Sequence, residues 1–412
     1  MHYSIIAQVL RGMGMNLPQR KFIEGLFSTW LSVRGRFNFV NVGRYGFYHE
    51  RTLRRWFKRE FAWAEFNSRL LARMIPARRE LIAALDASFV AKSGRHTFGL
   101  GSFFNGCAGR AQKGLEVSLV SVIDVTKNTA YALSARQTRP GGDDAKAAGR
   151  PRAKKSKGKK ESDKETRVDA YLEHFKAARP YLAKRIRHLA VDGYFASYKF
   201  VQGVCDVEMD VVGKLRRDAN LRYLYHGSQQ GRGRPRKYAG KVEWSNLDMR
   251  RWKKQAELEP GVELLAATLH HVSLKRTIRV VMLLDTRKAK PCYALLFSTD
   301  LNLSAQDIVR YYKARFQIEF LFRDAKGATG LNDCQARDQA ALNFHWNTAL
   351  CAINVAKWQE VQGPVFSITS CKTRHGNERL LEVFSRRLGF DWTAIKSHPQ
   401  FADLCNYGAI RP

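Results

Sequence analysis

Residues 311–327 read YYKARFQIEFLFRDAKG. On a helix, side chains three and four positions apart share a face. Tyr312, Arg315, Glu319, Phe322 and Lys326 follow steps of 3, 4, 3 and 4, so they form one stripe on a helix expected over roughly 304–326. Phe316, Phe320 and Leu321 fall elsewhere and are expected to anchor that helix to a core. As a plain salt-bridge ladder, Arg315–Glu319 would contribute a few tenths of a kcal/mol. That reading leaves Tyr312 and Lys326 on the same stripe unexplained. A site that works on a phosphate backbone accounts for all four. The acid offers oxygens to a divalent cation, while Tyr312, Arg315 and Lys326 hold phosphates around a scissile bond.

The charge of the whole chain points the same way. Its 412 residues carry 71 Lys+Arg against 37 Asp+Glu, a formal net charge of +34. Self-repulsion on that scale is relieved by a polyanion, so nucleic acid is the expected partner. A hydrophobic content of 45% fits a globular protein with a substantial core. No apolar run approaches the length of a membrane span. The opening MHYSIIAQVLRGMGMN is too short in apolar residues for a signal peptide. Seven scattered cysteines, never as Cys-x-x-Cys, argue for free thiols in a reducing cytosol, against both a disulfide framework and a zinc site.

Outward from the opening stretch, the patterning divides the chain. Residues 1–76 read as helical. Phe22, Leu26, Phe27, Trp30 and Leu31 line one helix; HERTLRRWFKREFAW (49–63) sets Leu53, Trp56, Phe57 and Phe61 against Arg51, Arg55, Lys58 and Arg59. Two helices around a Gly-containing connection, the second one basic, suggest a helix-turn-helix-like DNA-binding domain. From 77 the period falls to two or to continuous apolar runs. ELIAALDASFVAKSG, HTFGLGSFFNG and LEVSLVSVIDVTKNTAYALSARQT are expected as three strands, followed by a helix and the strand IRHLAVDGYFASYKF, an α/β order. The basic, low-complexity segment 139–165 is expected to be a mobile loop. Strand patterning returns over 206–300, residues 301–360 are helical, and 361–412 stays undecided.

Two further acids stand out. Asp86 in AALDASFV and Asp192 in HLAVDGYF each sit at the end of an apolar strand, where an unpaired carboxylate is costly. Either acid alone reads first as a turn residue or a salt-bridge partner; two of them in so basic a chain shift the reading toward function.

With these residues in place, Tyr312-x2-Arg315-x3-Glu319-x6-Lys326 resembles the Tyr-Arg-Glu-Lys signature of DDE transposases encoded by bacterial insertion sequences, at that family's spacing. LDASFV and VDGYF look like the segments of its first and second catalytic aspartates, and the likeness spans roughly 80–355. The separations, 106 residues from Asp86 to Asp192 and 127 from Asp192 to Glu319, are long. The resemblance implies an RNase H-like catalytic core, 77–205 and 301–360, a mixed sheet flanked by helices. A β-rich insertion at 206–300 interrupts it, and the α-helical N-terminal domain binds DNA. It implies Asp86, Asp192 and Glu319 as catalytic residues and ligands of two Mg2+ or Mn2+ ions, acting on double-stranded transposon ends and target DNA, with a dimer in the synaptic complex. RGRPRK (232–237), with Arg234 and Arg236, resembles an AT-hook, and GRPR recurs at 149–152. Trp244, with Trp252 second, is the candidate to hold a flipped base, weighed against an ordinary buried tryptophan. His270, His271 and His345 read as structural. A transposon-derived protein without catalysis, or another RNase H-like DNA nuclease, are the alternatives.

Overall fold

The computed structural model describes residues 4–140, 166–229, 231–244, 246–287, 292–359 and 366–410. Most of the basic 139–165 segment, including the second GRPR, lies outside the described residues.

Local signals start the N-terminal helices. Asn16 and Asn38 cap α2 (Leu17–Ser32) and α3 (Phe39–Tyr45), each side chain accepting from an N–H three residues on, with Pro18 in the first turn of α2. α1 (Ser4–Arg11), α4 (Glu50–Trp56) and α5 (Trp63–Met74) complete the region. The helix expected over 49–63 therefore stops at Trp56, and the chain restarts as α5. Arg51, Arg55, Lys58 and Arg59 are exposed, while Leu53 and Phe57 are buried. These helices have aromatic residues on more than one face, and the second face packs on the rest of the chain. The Phe57 ring lies 4.4 Å from Phe344, and Trp30 Nε1 donates to the Thr329 carbonyl at 3.0 Å. One hydrophobic core runs through both regions.

The apolar run LIAALDASFVA forms β1 (Leu81–Ala91), whose first five residues are buried. It pairs antiparallel with β3 (Arg110–Asp124). The far side of β3 is shared by β2 (Gly101–Asn105) and β4 (Thr129–Thr138). The stretch expected as one strand from Leu115 is thus a hairpin, turning at Asn128 with φ 48°, a conformation asparagine tolerates. After α6 (Arg167–Ala178), β5 (His188–Val191) returns parallel to β1, pairing Ala83 with Leu189. The chain then leaves the sheet as α7 (Tyr198–Cys205) rather than continuing as strand.

β6 (Asp210–Leu215) lies parallel to β5, from His188↔Asp210 to Val191↔Gly213. Outward from it come β12 (Cys292–Ser298), β11 (Arg276–Asp285), β10 (Val262–His271), β7 (Leu221–Leu224) and β8 (Tyr238–Lys241), while β9 (Lys253–Glu259) also pairs with β10. The strands of 206–300 therefore continue the core sheet, giving twelve strands in one mixed sheet.

The closing helices are α8 (Ala305–Arg315), α9 (Gln317–Ala328), α10 (Gln339–Gln359), α11 (Ile368–Leu388), α12 (Trp392–Ser397) and α13 (Phe401–Asn406). The undecided tail is helical, and Leu380, Phe384 and Leu388 of α11 leave an exposed apolar row. α10 is buried along nearly its whole length. Its asparagines reach the backbone of β4. Asn347 accepts from Ala135 N–H and donates to the same residue's carbonyl, at 2.9 and 2.8 Å. Asn354 does the same for Ala132 at 3.0 and 2.7 Å. An edge strand's open hydrogen-bonding groups are thereby satisfied inside the core.

Candidate active site

Asp86 lies midway along β1, opposite Leu119. Asp192 follows β5 directly and opens the 3₁₀ turn Gly193–Phe195. Since β1 and β5 run parallel and adjacent, the two acids emerge on neighbouring strands of the same sheet. The third arrives from the helices. The single helix expected over 304–326 is broken at Phe316, where Phe316 N–H bonds to Lys313 and its carbonyl accepts from Glu319 N–H. Phe316 is 48% exposed, so it is no core anchor. Its ring meets Phe320 edge-on at 5.1 Å. Phe322, placed on the stripe by spacing, is buried instead. The break lets α8 present Tyr312 and Arg315, and α9 present Glu319, to the strand ends.

Arg315 is the junction of the site. Its Nη1 donates to Asp86 Oδ2 at 3.2 Å and its Nη2 to Glu319 Oε1 at 3.0 Å. Its side chain is only 10% exposed, against 22% for Asp86 and 41% for Glu319. Tyr312 packs beneath the guanidinium, 5.6 Å from its ring centroid, and donates a long hydrogen bond of 3.4 Å to Asp192 Oδ1. Burial pushes the Asp86 carboxyl up to about 6; Arg315 and the Ala87 N–H pull it down, and the charges of Glu319 and Asp192 push it up again. Burial, the charge of Asp192 and its hydrogen bond raise the Tyr312 phenol above its usual value, against the opposing pull of Arg315. Three carboxylates thus face one guanidinium. Lys326 donates to the Phe89 carbonyl of β1 at 2.8 Å, and burial lowers its ammonium below the usual range. Among the described residues, Arg315 Nε is buried with no hydrogen-bond partner.

The other sequence candidates lie away from this cluster. In the RGRPRK loop, Arg236 folds back over the Tyr225 ring at 4.8 Å and donates to the Tyr238 carbonyl at 3.1 Å, whereas Arg234 is exposed. Trp244 is half-buried, stacked on Tyr293 at 5.6 Å, with its N–H on the Ala219 carbonyl at 3.3 Å. Trp252 is buried, its N–H on the Tyr223 hydroxyl at 3.3 Å. Both indoles are held as structural residues are. His345 is buried and bonded to the Gly330 carbonyl at 2.7 Å.

The sequence reading missed a second group at the other end of β5. His188, Asp210 and Asp300 bring ligand-type atoms within 4.8 Å of one another, the one such trio among the described residues. It comes from three strand ends far apart in the chain, and no spacing signal marks it. The carboxylates of Asp86, Asp192 and Glu319 are not drawn together that tightly, because Arg315 stands between two of them. Their donor set still fits a hard divalent cation: three carboxylates suit Mg2+ or Mn2+. The burial that raises Asp86, with the neighbouring charges of Glu319 and Asp192 added to it, is a cost that a cation there would relieve.

One acid in the middle of β1 and one just past the parallel β5, with a third from a helix, therefore meet around a single guanidinium. The family model for DDE superfamily endonucleases matches residues 39–276, more than half of the chain, and the chain belongs to that family. The match spans Asp86 and Asp192 and stops short of Glu319. No curated protein matches the chain. The chain is therefore a transposase-like nuclease, of a family whose substrate is DNA and whose members typically use divalent metals. Among the described residues, no helix is long and apolar enough to cross a membrane.

Proposed function

We propose that this protein is the transposase of a bacterial insertion sequence, of the group with the Tyr-Arg-Glu-Lys signature. It binds the terminal inverted repeats of its element in the bacterial cytosol, cleaves the strands and joins the ends to target DNA. The observation that carries the reading is the double bridge of Arg315, which gathers Asp86 and Glu319 across 233 residues of sequence. Asp86, Asp192 and Glu319 are the proposed ligands of two Mg2+ or Mn2+ ions. Such ions, when bound, polarise the scissile phosphate and neutralise charge in the in-line displacement.

The chain's own groups do the rest. Arg315 keeps a buried N–H unused, which suits a phosphate oxygen. Tyr312 holds Asp192 and Arg315 in register. Lys326, fixed on β1, lies beside the path of a bound strand. Arg51, Arg55, Lys58 and Arg59 present an exposed basic surface to the element's ends, with Arg234 as an accessory contact. Synapsis of two ends calls for a dimer, to which the exposed row of α11 offers apolar area.

The test uses a plasmid carrying the inverted repeats that flank the gene. The protein nicks it at the repeat ends in Mg2+ or Mn2+, and Asp86→Asn, Asp192→Asn and Glu319→Gln each abolish nicking while binding persists. Nicking that survives any of the three overturns the assignment.

A further inference from the structure

β1 carries Asp86 in its middle, Lys326 bonded to the Phe89 carbonyl three residues on, and Lys92 just past its end. Beyond that end the surface opens into two grooves of about 610 and 380 Å³ that share Gln335 as a common wall. Lys92, Lys113 and Arg337 line the first; Arg34, Arg36 and Arg44 line the second. No carboxylate lines either groove. Five of the six cations are exposed and Lys92 is half-buried.

Their partners are neutral. Among the described residues none of the six forms an ion pair; Lys92 donates to the Cys334 carbonyl and Arg34 to Asn377 Oδ1. Elsewhere on this chain exposed cations are often neutralised, as in Arg310–Glu80–Asp307 and Arg287–Asp285–Glu259. A run of cations left without acids, in a groove that starts where the catalytic strand ends, is an electrostatic footprint for a phosphate backbone. Direction adds to this. At about 3.3 Å per strand residue, Lys92 lies roughly 20 Å from Asp86. Duplex DNA rises about 3.4 Å per base pair, so a duplex laid along β1 reaches the groove about six base pairs from a phosphate held at Asp86.

We infer that this paired groove is a DNA track, gripping the duplex flank about six base pairs from the cut through Lys113, Arg337 and Arg36, with Lys92, Arg34 and Arg44 beside them. The inference rests on the reading of Asp86, Asp192 and Glu319 as the cutting site. None of the six residues belongs to the N-terminal basic helix or the RGRPRK loop.

The experiment compares the full-length protein with Lys113→Ala/Arg337→Ala/Arg36→Ala on two duplexes containing the repeat end. Both carry the whole repeat; one ends about 3 base pairs past the cut on the flank and the other about 15. Salt titrations read the number of phosphates neutralised. On the long duplex the triple variant is expected to lose about two to three units of the log–log salt slope and at least tenfold in affinity near 0.15 M salt. On the short duplex the two proteins bind alike. An unchanged slope on the long duplex overturns the track and leaves the nuclease reading standing; a wild-type protein that neither binds nor nicks DNA overturns both. If the triple variant fails to melt cooperatively, Arg337→Gln and Lys113→Gln singly serve, each expected to remove about one unit of slope.

Discussion

The two ends of β5 hold two groups of acids built on opposite principles. At its start, every acid is locally partnered. Asp300 accepts from His188 at 3.1 Å and from the Asn302 N–H at 2.9 Å, and Asp210 accepts from the Thr299 hydroxyl at 2.7 Å. That hydroxyl in turn accepts from the Val211 N–H at 2.9 Å. Just past the other end, three carboxylates share one arginine, with the Ala87 N–H on Asp86 at 2.8 Å and one long hydrogen bond from a tyrosine on Asp192. The tighter group is the better satisfied, so closeness of ligand atoms alone does not mark a working site. The looser group is distinguished instead by a buried carboxyl raised by its burial, beside a buried arginine N–H without a partner among the described residues. The first arrangement ties strand ends together, whereas the second holds a buried carboxyl at a cost set mainly by its burial.

The largest expected difference between the two ends is in cleavage. Asp192→Asn should lower strand nicking by about a thousandfold or more, the loss of several kcal/mol of transition-state stabilisation. His188→Ala should leave nicking within about twofold. Equal losses from both variants, measured on one substrate, would erase the distinction.

Arg315→Ala comes next. It leaves Asp86 and Glu319 facing each other with no counter-charge. Removing one partner of a fully buried pair costs about 3–5 kcal/mol, and the partial exposure of both acids reduces this to about 1–2 kcal/mol of folding stability. Added Mn2+ should restore part of the lost melting temperature, since the cation takes over the arginine's charge. A variant as stable as wild type without metal would show that the bridge is incidental.

Asp86 gives a smaller effect with a definite sign. Its carboxyl is raised from 3.8 to about 6 in the fold, so between those values the folded state holds a proton that the unfolded chain has lost. Stability therefore falls as pH rises from about 4 to 6, and the cost stays in full above that. Asp86→Asn removes the cost. The inactive variant should be about 1 kcal/mol more stable than wild type at pH 8 and no more stable at pH 4, as urea melts at the two pH values would register. A variant less stable at pH 8 would contradict the cost of holding this carboxylate ionised in its buried place. The smallest effect is that of His188→Ala on stability, about 1 kcal/mol or less for one part-exposed hydrogen bond to Asp300, read from the same melts.

How much of this could be read beforehand depends on how local each signal is. The three acids were visible locally, but their meeting followed only from the family resemblance, and Asp86, expected to close its strand, lies midway along β1 because the strand runs on to Ala91. The α/β order and the β-rich 206–300 segment were legible from period alone. The break at Phe316 was not, since helical spacing continues through it and the interruption comes from burying Ile318 and Leu321 on one side while Arg315 turns to the acids. Nor was the attachment of β4 to α10. Asn347 and Asn354 serve a backbone more than 200 residues away, and a polar residue in an apolar helix does not announce its partner. The helical tail hid because α11 has an apolar row facing solvent rather than one consistent buried face. The neutral-partnered cations around Gln335 were invisible for the same reason: they come from four separate segments.

One measurement decides between the two ends of β5 most directly: Mn2+ binding to the full-length protein, followed by electron paramagnetic resonance of the free ion. Wild type, Asp86→Asn/Glu319→Gln and His188→Ala/Asp300→Asn are titrated side by side. The account predicts that the first double variant loses Mn2+ binding and the second keeps it. Binding lost with His188 and Asp300 but kept without Asp86 and Glu319 would contradict it.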